Sequence, residues 1–183
     1  MALTALIPIA DGSEDLETVT LIDVLRRANV KVTVASVMPS QTVVCARGTR
    51  IIADASIDEC GGTSYDLIAL PGGLPGAEHL RDSAPLTAML TAQKEAGRWY
   101  AAICASPAVV FAAHGLIDDV TATCYPAMHG DLPCAHTDDV VIHGRCITSQ
   151  GPGTALVFAL ELVRLLCGED AARETGAAML VAP

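Results

Sequence analysis

The stretch WYAAICASPAVVFAAHG, residues 99–115, has the pattern of a buried strand, a tight turn and a helix. Residues 99–103 are apolar and uncharged, as in a strand that is covered on both faces. Cys104, Ala105 and Ser106 follow at the turn, and Pro107 stands where the first turn of a helix tolerates proline. A helix is therefore predicted over residues 107–114, and the stretch indicates one βα unit of a parallel sheet.

The same alternation extends in both directions along the chain. Helices are predicted at residues 14–29 with Ser13 as the N-cap, at 85–96, and from the loop at 150–154 to about 167, with a shorter helix after it. Apolar and β-branched composition predicts further strands at residues 3–9, 30–37, 42–45, 50–53, 65–70, 120–124, 140–143 and 146–149. We expect residues 1–183 to form a single three-layer, doubly wound α/β domain with a mostly parallel sheet.

Charge and hydropathy exclude several classes of protein. The net charge is −10, and no run of lysine and arginine is present, so neither nucleic acid nor an anionic membrane is an expected partner. Residues 99–117 are long enough for a bilayer span, but Ser106 and Pro107 interrupt them in the middle. The first ten residues lack the basic segment of a secretory signal, which predicts a cytoplasmic protein.

Cysteine spacing argues against disulfides and metal sites. The seven cysteines are odd in number and contain no C-x-x-C pair. A metal site among the cysteines and histidines between Cys124 and Cys146 is the alternative, but their spacings match no zinc ribbon or finger. The loop at Gly151-Pro152-Gly153 lacks the lysine of a P-loop, so no nucleotide or other cofactor is expected.

The end of the strand at residues 99–103 presents the best candidate nucleophile. In a doubly wound sheet, ligands bind beside the loops that follow the parallel strands, here residues 11–13, 71–73, 104–106 and 150–154. Cys104 stands on such a loop at a helix N-terminus, a position that lowers the pKa of a thiol. The competing interpretation is a small buried apolar residue, as most free cysteines are.

Glu17 is the candidate proton donor. At about 100° per residue, it shares the core-facing stripe of its helix with Leu21, Val24 and Leu25. Burial would raise the pKa of this carboxyl toward neutrality. The alternative is a first-turn acid that bends to solvent and favours the helix dipole.

Two further features concern the pocket and the assembly. Gly72 and Gly73 allow close backbone approach, so their N–H groups, with that of Ala105, are candidates for binding an oxyanion; an ordinary turn is the alternative. The outer side of the helix at residues 14–29 carries a second apolar strip, which predicts a homodimer, although scattered surface aliphatic residues remain the alternative. That strip consists of Leu16, Val19 and Ile22.

Four segments together resemble the ThiJ/PfpI superfamily, in particular the branch of the Parkinsonism-associated protein deglycase and its bacterial chaperone relatives. They are residues 12–19 (GSEDLETV), 70–73 (LPGG), 102–105 (AICA) and 149–154 (SQGPGT). The resemblance runs over nearly the whole chain, with the motifs in order. It implies a flavodoxin-like fold of the class I glutamine amidotransferase type and a homodimer.

The resemblance also implies roles for particular residues. Cys104 would be an oxidation-sensitive nucleophile whose thiolate is hydrogen-bonded by protonated Glu17. The N–H groups of Gly73 and Ala105 would lie at the oxyanion position, and Arg47 would lie near the pocket or the dimer interface. Cys45 would be a secondary thiol.

Two departures from relatives bear on activity. Ala105 follows the cysteine where the protease-like branch has histidine, so proteolysis is not expected. Tyr125 stands where the deglycase branch can carry a histidine, and a phenol with a pKa near 10 is a poor general base at neutral pH.

Two hypotheses follow for the function. The first is a glutathione-independent glyoxalase or deglycase that acts on small carbonyl compounds or glycated proteins. The second is a non-enzymatic redox sensor and oxidation-regulated chaperone that uses the same cysteine.

Overall fold

The computed structural model describes residues 2–181. The strands are β1 (Thr4–Ile9), β2 (Lys31–Ser36), β3 (Thr42–Val44), β4 (Arg50–Ile52), β5 (Ala55–Ser56), β6 (Leu67–Leu70), β7 (Trp99–Ile103), β8 (Val140–His143) and β9 (Cys146–Ser149). The α-helices are α1 (Asp15–Arg27), α2 (Ile57–Cys60), α3 (Gly76–Arg81), α4 (Ala84–Glu95), α5 (Ala155–Cys167) and α6 (Glu169–Ala178). A π-helical segment covers Pro107–Ala112, and 3₁₀ turns cover Pro126–Asp131 and Pro152–Thr154.

Seven strands form the central sheet, in the order β5-β2-β1-β6-β7-β9-β8. All neighbours are parallel except β8, which pairs antiparallel with β9 at one edge. Most residues of β1, β6 and β7 are buried on both sides, which explains their continuous apolar sequences. The predicted mostly parallel α/β fold is confirmed.

Helices pack in two groups around this sheet. α1 packs against α5 and α5 against α6, whereas α3 packs against α4 and the π-helical segment. The apolar stripe of α1 faces inward as predicted, with Leu21, Val24 and Leu25 fully buried. β3 and β4 form a separate antiparallel hairpin beside α1 and the loop after β1.

Glycines bring the loops at the carboxyl edge of the sheet into direct contact. A side chain on Gly12 would come within 2.5 Å of Pro75, so the loop after β1 packs tightly on the loop after β6. Gly73 has a φ of 86°, and a Cβ there would collide with the backbone of Gly12 and Glu14. The two loops are therefore held at a fixed separation next to Cys104.

Three local predictions are wrong. α1 begins at Asp15 with Glu14 as its cap residue, and Ser13 is not the N-cap because its Oγ accepts a hydrogen bond from the N–H of Ala10 (3.0 Å). Residues 120–124 form no strand and make only one isolated bridge, from Ala122. This segment is held instead by single hydrogen bonds, including one from the N–H of Thr123 to Oγ1 of Thr148 (2.9 Å).

The third error concerns the helix after Cys104. Regular π-helical structure ends at Ala112, and turns follow it, so the predicted helix over residues 107–114 is both shorter and wider. The apolar stretch at residues 99–117 divides into β7, a turn and this segment, as the sequence predicts. Within residues 2–181, no helix combines the length and apolar character that a bilayer crossing requires.

Candidate active site

Cys104 lies on a strained turn directly after β7. Its φ is 63°, a left-handed conformation that residues other than glycine rarely adopt. The turn is fixed from both sides, because the N–H of Cys104 donates to the carbonyl of Ser149 (3.0 Å) and its carbonyl accepts from the N–H of Tyr125 (2.8 Å). The backbone thus presents the thiol at the sheet edge, with 9% of the residue exposed.

Glu17 lies beneath the thiol, on the buried side of α1. The residue is fully buried, which confirms its predicted inward orientation. Its Oε2 accepts a hydrogen bond from the N–H of Gly72 (2.7 Å), whereas Oε1 is buried without a partner that meets ordinary hydrogen-bond geometry within residues 2–181. The carboxyl nevertheless lies close enough to Cys104 for the pKa of each group to depend on the other.

Backbone N–H groups converge on the sulfur. Those of Gly73 and Ala105 lie near enough to the sulfur to act against the rise in the pKa of Cys104, which favours its thiolate form. Gly72 permits this convergence, because a Cβ at that position would lie 2.5 Å from the Cβ of Cys104. Ser106 fixes the same turn by donating from Oγ to the carbonyl of Pro71 (2.5 Å).

Glu17 and Cys104 are ionisable groups that are buried close to each other. Burial raises the pKa of Glu17 to about 7, although the hydrogen bond from Gly72 and the neighbouring Cys104 thiol oppose this change. Burial and the negative charge of Glu17 raise the pKa of the Cys104 thiol to about 12, against the N–H groups of Gly73 and Ala105. Below pH 7 both groups are therefore protonated, and above pH 7 the pair holds one proton and one negative charge.

This balance corrects the expectation that the loop position alone lowers the pKa of Cys104. Burial and the neighbouring carboxylate outweigh the backbone N–H groups. The penalty from Glu17 disappears when Glu17 takes up the proton, since the carboxyl is then neutral. Formation of the thiolate is consequently coupled to protonation of Glu17.

A cavity of about 520 Å³ opens above the thiol. Its walls come from the loops after β1, β6, β7 and β9, from the β3–β4 turn and from the 3₁₀ turn at Pro126–Asp131 with the preceding Tyr125. The lining residues are Glu14, Ala46, Arg47, Gly73, Leu74, Cys104, Ala105, Tyr125, Ala127, Met128 and Pro152. A larger cleft of about 670 Å³ lies between β8 and α5, but no cysteine or histidine lines it. The smaller cavity is the better candidate because it contains the nucleophile.

The comparisons with known proteins agree with this geometry. The DJ-1/PfpI family pattern matches residues 3–165. The chain belongs to the DJ-1/PfpI family. The resemblance inferred from the four sequence segments is therefore confirmed.

Individual relatives of this DJ-1/PfpI protein span much of its length. It is 47% identical over 178 residues to the Arabidopsis thaliana protein DJ-1 homolog B, covering 96% of this chain but only 41% of that longer protein. It is 35% identical over 164 residues to the Caenorhabditis elegans glutathione-independent glyoxalase DJR-1.2, covering 87% of this chain and 86% of the relative. An oxidized Toxoplasma gondii DJ-1 has a TM-score of 0.98 and 43% identity, with 100% of both chains covered.

The remaining predicted site residues of this DJ-1/PfpI protein divide into two groups. Arg47 and Tyr125 line the cavity, and the Tyr125 ring lies 3.5 Å from where a Cβ of Gly151 would stand. Cys45 is buried and does not line it. Burial and the charges of Asp15, Glu14 and Asp11 raise the pKa of the Cys45 thiol to about 11.

Sequence reasoning missed several lining residues. Glu14 was assigned only to the start of a helix, and Leu74 and Met128 belong to segments without a clear pattern. Pro152 belongs to the predicted ligand-binding loop at residues 150–154, but no role was predicted for this residue itself, and it forms part of the cavity wall. The sequence signal for these residues is that ligands bind beside the loops that follow parallel strands. This rule identifies whole loops and not the individual residues that line a cavity.

The described residues place no histidine in this cavity. His129 is half-buried near it, but its Nε2 hydrogen-bonds with the carbonyl of Cys124 (3.1 Å). Within residues 2–181, no three histidine, cysteine or acidic side chains are grouped as metal ligands. Glu17 is therefore the candidate acid–base group of this site, because its pKa and that of the thiol depend on each other.

Proposed function

We propose that this protein is a cysteine-dependent, glutathione-independent glyoxalase of the deglycase type, acting on glyoxals or early glycation adducts. The observation that carries the proposal is the pairing of Cys104 with buried Glu17 beneath an open cavity, with two backbone N–H groups at the sulfur. A relative named as a glutathione-independent glyoxalase lends support at the level of the family.

The first step is addition of sulfur to the aldehyde. Glu17 takes the thiol proton as Sγ of Cys104 forms a bond to the aldehyde carbon, and the carbonyl π electrons move to oxygen. The N–H groups of Gly73 and Ala105 stabilise that developing oxyanion. Glu17 then returns the proton to the oxygen, which gives a hemithioacetal and a carboxylate.

The later steps convert the hemithioacetal to a 2-hydroxy acid. The Glu17 carboxylate removes the proton from the former aldehyde carbon. The electron pair left on that carbon forms the carbon–carbon double bond of an enediol as the ketone oxygen is protonated by solvent. Return of the Glu17 proton to the second carbon and loss of the hydroxyl proton give a thioester. Water hydrolyses it, so the net reaction is addition of one water with internal oxidation of the aldehyde and reduction of the ketone.

The test is turnover of methylglyoxal without glutathione, with lactate identified by NMR. Wild-type protein, Cys104→Ala and Cys60→Ala are compared, because Cys60 is a buried thiol on α2 outside the cavity. We expect lactate from wild type and Cys60→Ala and none above background from Cys104→Ala. Full turnover by Cys104→Ala would reject the mechanism.

The second candidate is a redox sensor and oxidation-regulated chaperone. It is favoured by the partly accessible sulfur among N–H donors and by the oxidized form of the Toxoplasma gondii relative. Peroxide would oxidise the Cys104 thiolate to a sulfenate, releasing water, and a second peroxide would give the sulfinate. Peptide mass spectrometry after mild peroxide should locate two added oxygens at Cys104. Oxidation no faster than at the other six thiols would eliminate this function.

The assembly we propose is a homodimer through α1. Leu16 and Val19 are 52% and 49% exposed, and Ile52 of the neighbouring hairpin is 75% exposed. Between α1 and the hairpin lies a groove of about 260 Å³ that Val19 and Ile22 help to line. Such an apolar patch is typical of a subunit contact.

The seven free thiols favour a reducing compartment such as the cytoplasm.

A further inference from the structure

Arg47 is the basic residue that lines the cavity, and its guanidinium forms no ion pair within the described residues 2–181. The cavity lining contains one basic side chain, Arg47, in a chain whose net charge is −10. None of the ion pairs formed within residues 2–181 includes Arg47. Its guanidinium therefore remains available to a bound molecule at the rim of the cavity.

The backbone around Arg47 is held firmly in place. The N–H of Arg47 donates to Oδ2 of Asp15 (2.7 Å), and the N–H of Thr49 donates to Oδ1 of the same carboxylate (3.0 Å). The N–H of the preceding Ala46 donates to the carbonyl of Ser13 (2.8 Å). The turn that carries Arg47 is thus fastened to the loop after β1, next to the reacting cysteine.

Asp15 holds this turn without neutralising the guanidinium. Burial raises the pKa of the Asp15 carboxyl, but hydrogen bonds from Thr49 and Arg47 outweigh this effect and lower the pKa below its usual value. Both oxygens of Asp15 accept backbone N–H groups of the turn, so Asp15 anchors the turn through its backbone. Glu14 is the opposing charge of the cavity, and it also forms no ion pair within residues 2–181.

We propose that the preferred substrates are α-oxoaldehydes that carry a carboxylate, which Arg47 binds while Cys104 attacks the aldehyde. This inference rests on the proposed glyoxalase function and specifies its substrate class. The cavity of about 520 Å³ is far larger than methylglyoxal needs, so it has room for a longer, charged chain. The reaction is the same addition of water with internal redox exchange, and its product is a 2-hydroxy dicarboxylic acid.

The test compares 4,5-dioxopentanoate with its methyl ester, a neutral compound with the same reacting group. The product of the acid is 2-hydroxyglutarate. We expect the ratio of kcat/KM for the acid to that for the ester to exceed one in wild type and to fall about fivefold in Arg47→Gln, as for loss of one exposed ion pair. Added salt should lower the wild-type ratio, because exposed charges are screened.

Two further variants separate the cavity charges from net charge. Glu14→Gln should raise the ratio, since it removes a repelling carboxylate, whereas Arg50→Gln, on the exposed surface of the same hairpin, should leave it at the wild-type value. A ratio that is insensitive to Arg47→Gln, with Cys104-dependent turnover intact, would overturn this inference and leave the proposed function standing.

Binding provides an outcome if no substrate is turned over. NMR titration with 2-hydroxyglutarate should then show binding to the wild-type protein that weakens about fivefold in Arg47→Gln. That result would retain the carboxylate site although the glyoxalase function had failed. Absence of turnover together with equal affinity of the two proteins, or no binding by either, would overturn the inference.

Discussion

Replacement of Glu17 by glutamine should abolish a specific pH dependence of stability. In the unfolded chain the carboxyl ionises near its ordinary pKa of 4.5, whereas in the native protein it keeps its proton up to a pKa of about 7. Between these values the unfolded state binds fewer protons, so the free energy of unfolding falls as pH rises. The difference corresponds to about 3 kcal/mol at pH 8.

Glutamine preserves the shape of the side chain and can still accept the hydrogen bond from Gly72. Urea denaturation between pH 5 and 8 should therefore show that Glu17→Gln gains about 2.5 kcal/mol relative to wild type across this window. Glu95→Gln, a change at an exposed carboxylate outside the cavity, is the matched control. A stability difference between Glu17→Gln and wild type that stays constant with pH would refute a raised pKa for Glu17.

Three other perturbations test the site and the assembly. Gly72→Ala should destabilise the protein by about 1–3 kcal/mol in urea and impair turnover, because its Cβ would lie 2.5 Å from the Cβ of Cys104; wild-type stability would contradict this packing. Wild-type kcat/KM should rise with pH to about 7 and then level off as Glu17 becomes a base, and a profile unchanged in Glu17→Gln would contradict that role. Val19→Lys should convert a dimer to monomers in sedimentation velocity, since it charges the apolar face of α1; persistence of the dimer would place the interface elsewhere.

The sheet was predictable because its strands are buried on both faces. Residues of β1, β6 and β7 form short apolar runs between helical segments, and this pattern has few structural solutions. The helical period predicted the inward position of Glu17 but left a solvent-facing acid as the alternative, and the burial of Glu17 decides between them. Both predictions depend on regular repeats, which the sequence displays directly.

The errors lie where single contacts override local pattern. Residues 120–124 have the composition of a strand, yet hydrogen bonds such as that from Tyr125 to Cys104 draw this segment toward the cavity. Ser13 has the chemistry of an N-cap, but its Oγ satisfies the N–H of Ala10 instead. The partner of Tyr125 is distant in sequence, and the partner of Ser13 precedes it instead of following it into the helix. The local pattern therefore selects neither contact.

The electrostatics of the thiol were also beyond sequence reasoning. The position of Cys104 after β7 was correct, but the sign of its pKa change depends on how deeply Glu17 and the sulfur are buried together. Arg47 likewise entered the prediction only through resemblance to a family, because its contact with the cavity depends on the turn anchored by Asp15.

The most direct test of the central claim is turnover of methylglyoxal in deuterium oxide, followed by proton NMR, for wild type and Cys104→Ala. The proposed transfer of the aldehyde proton through buried Glu17 predicts lactate that retains protium at its second carbon, formed only when Cys104 is present. Lactate formed equally well by Cys104→Ala would contradict the account.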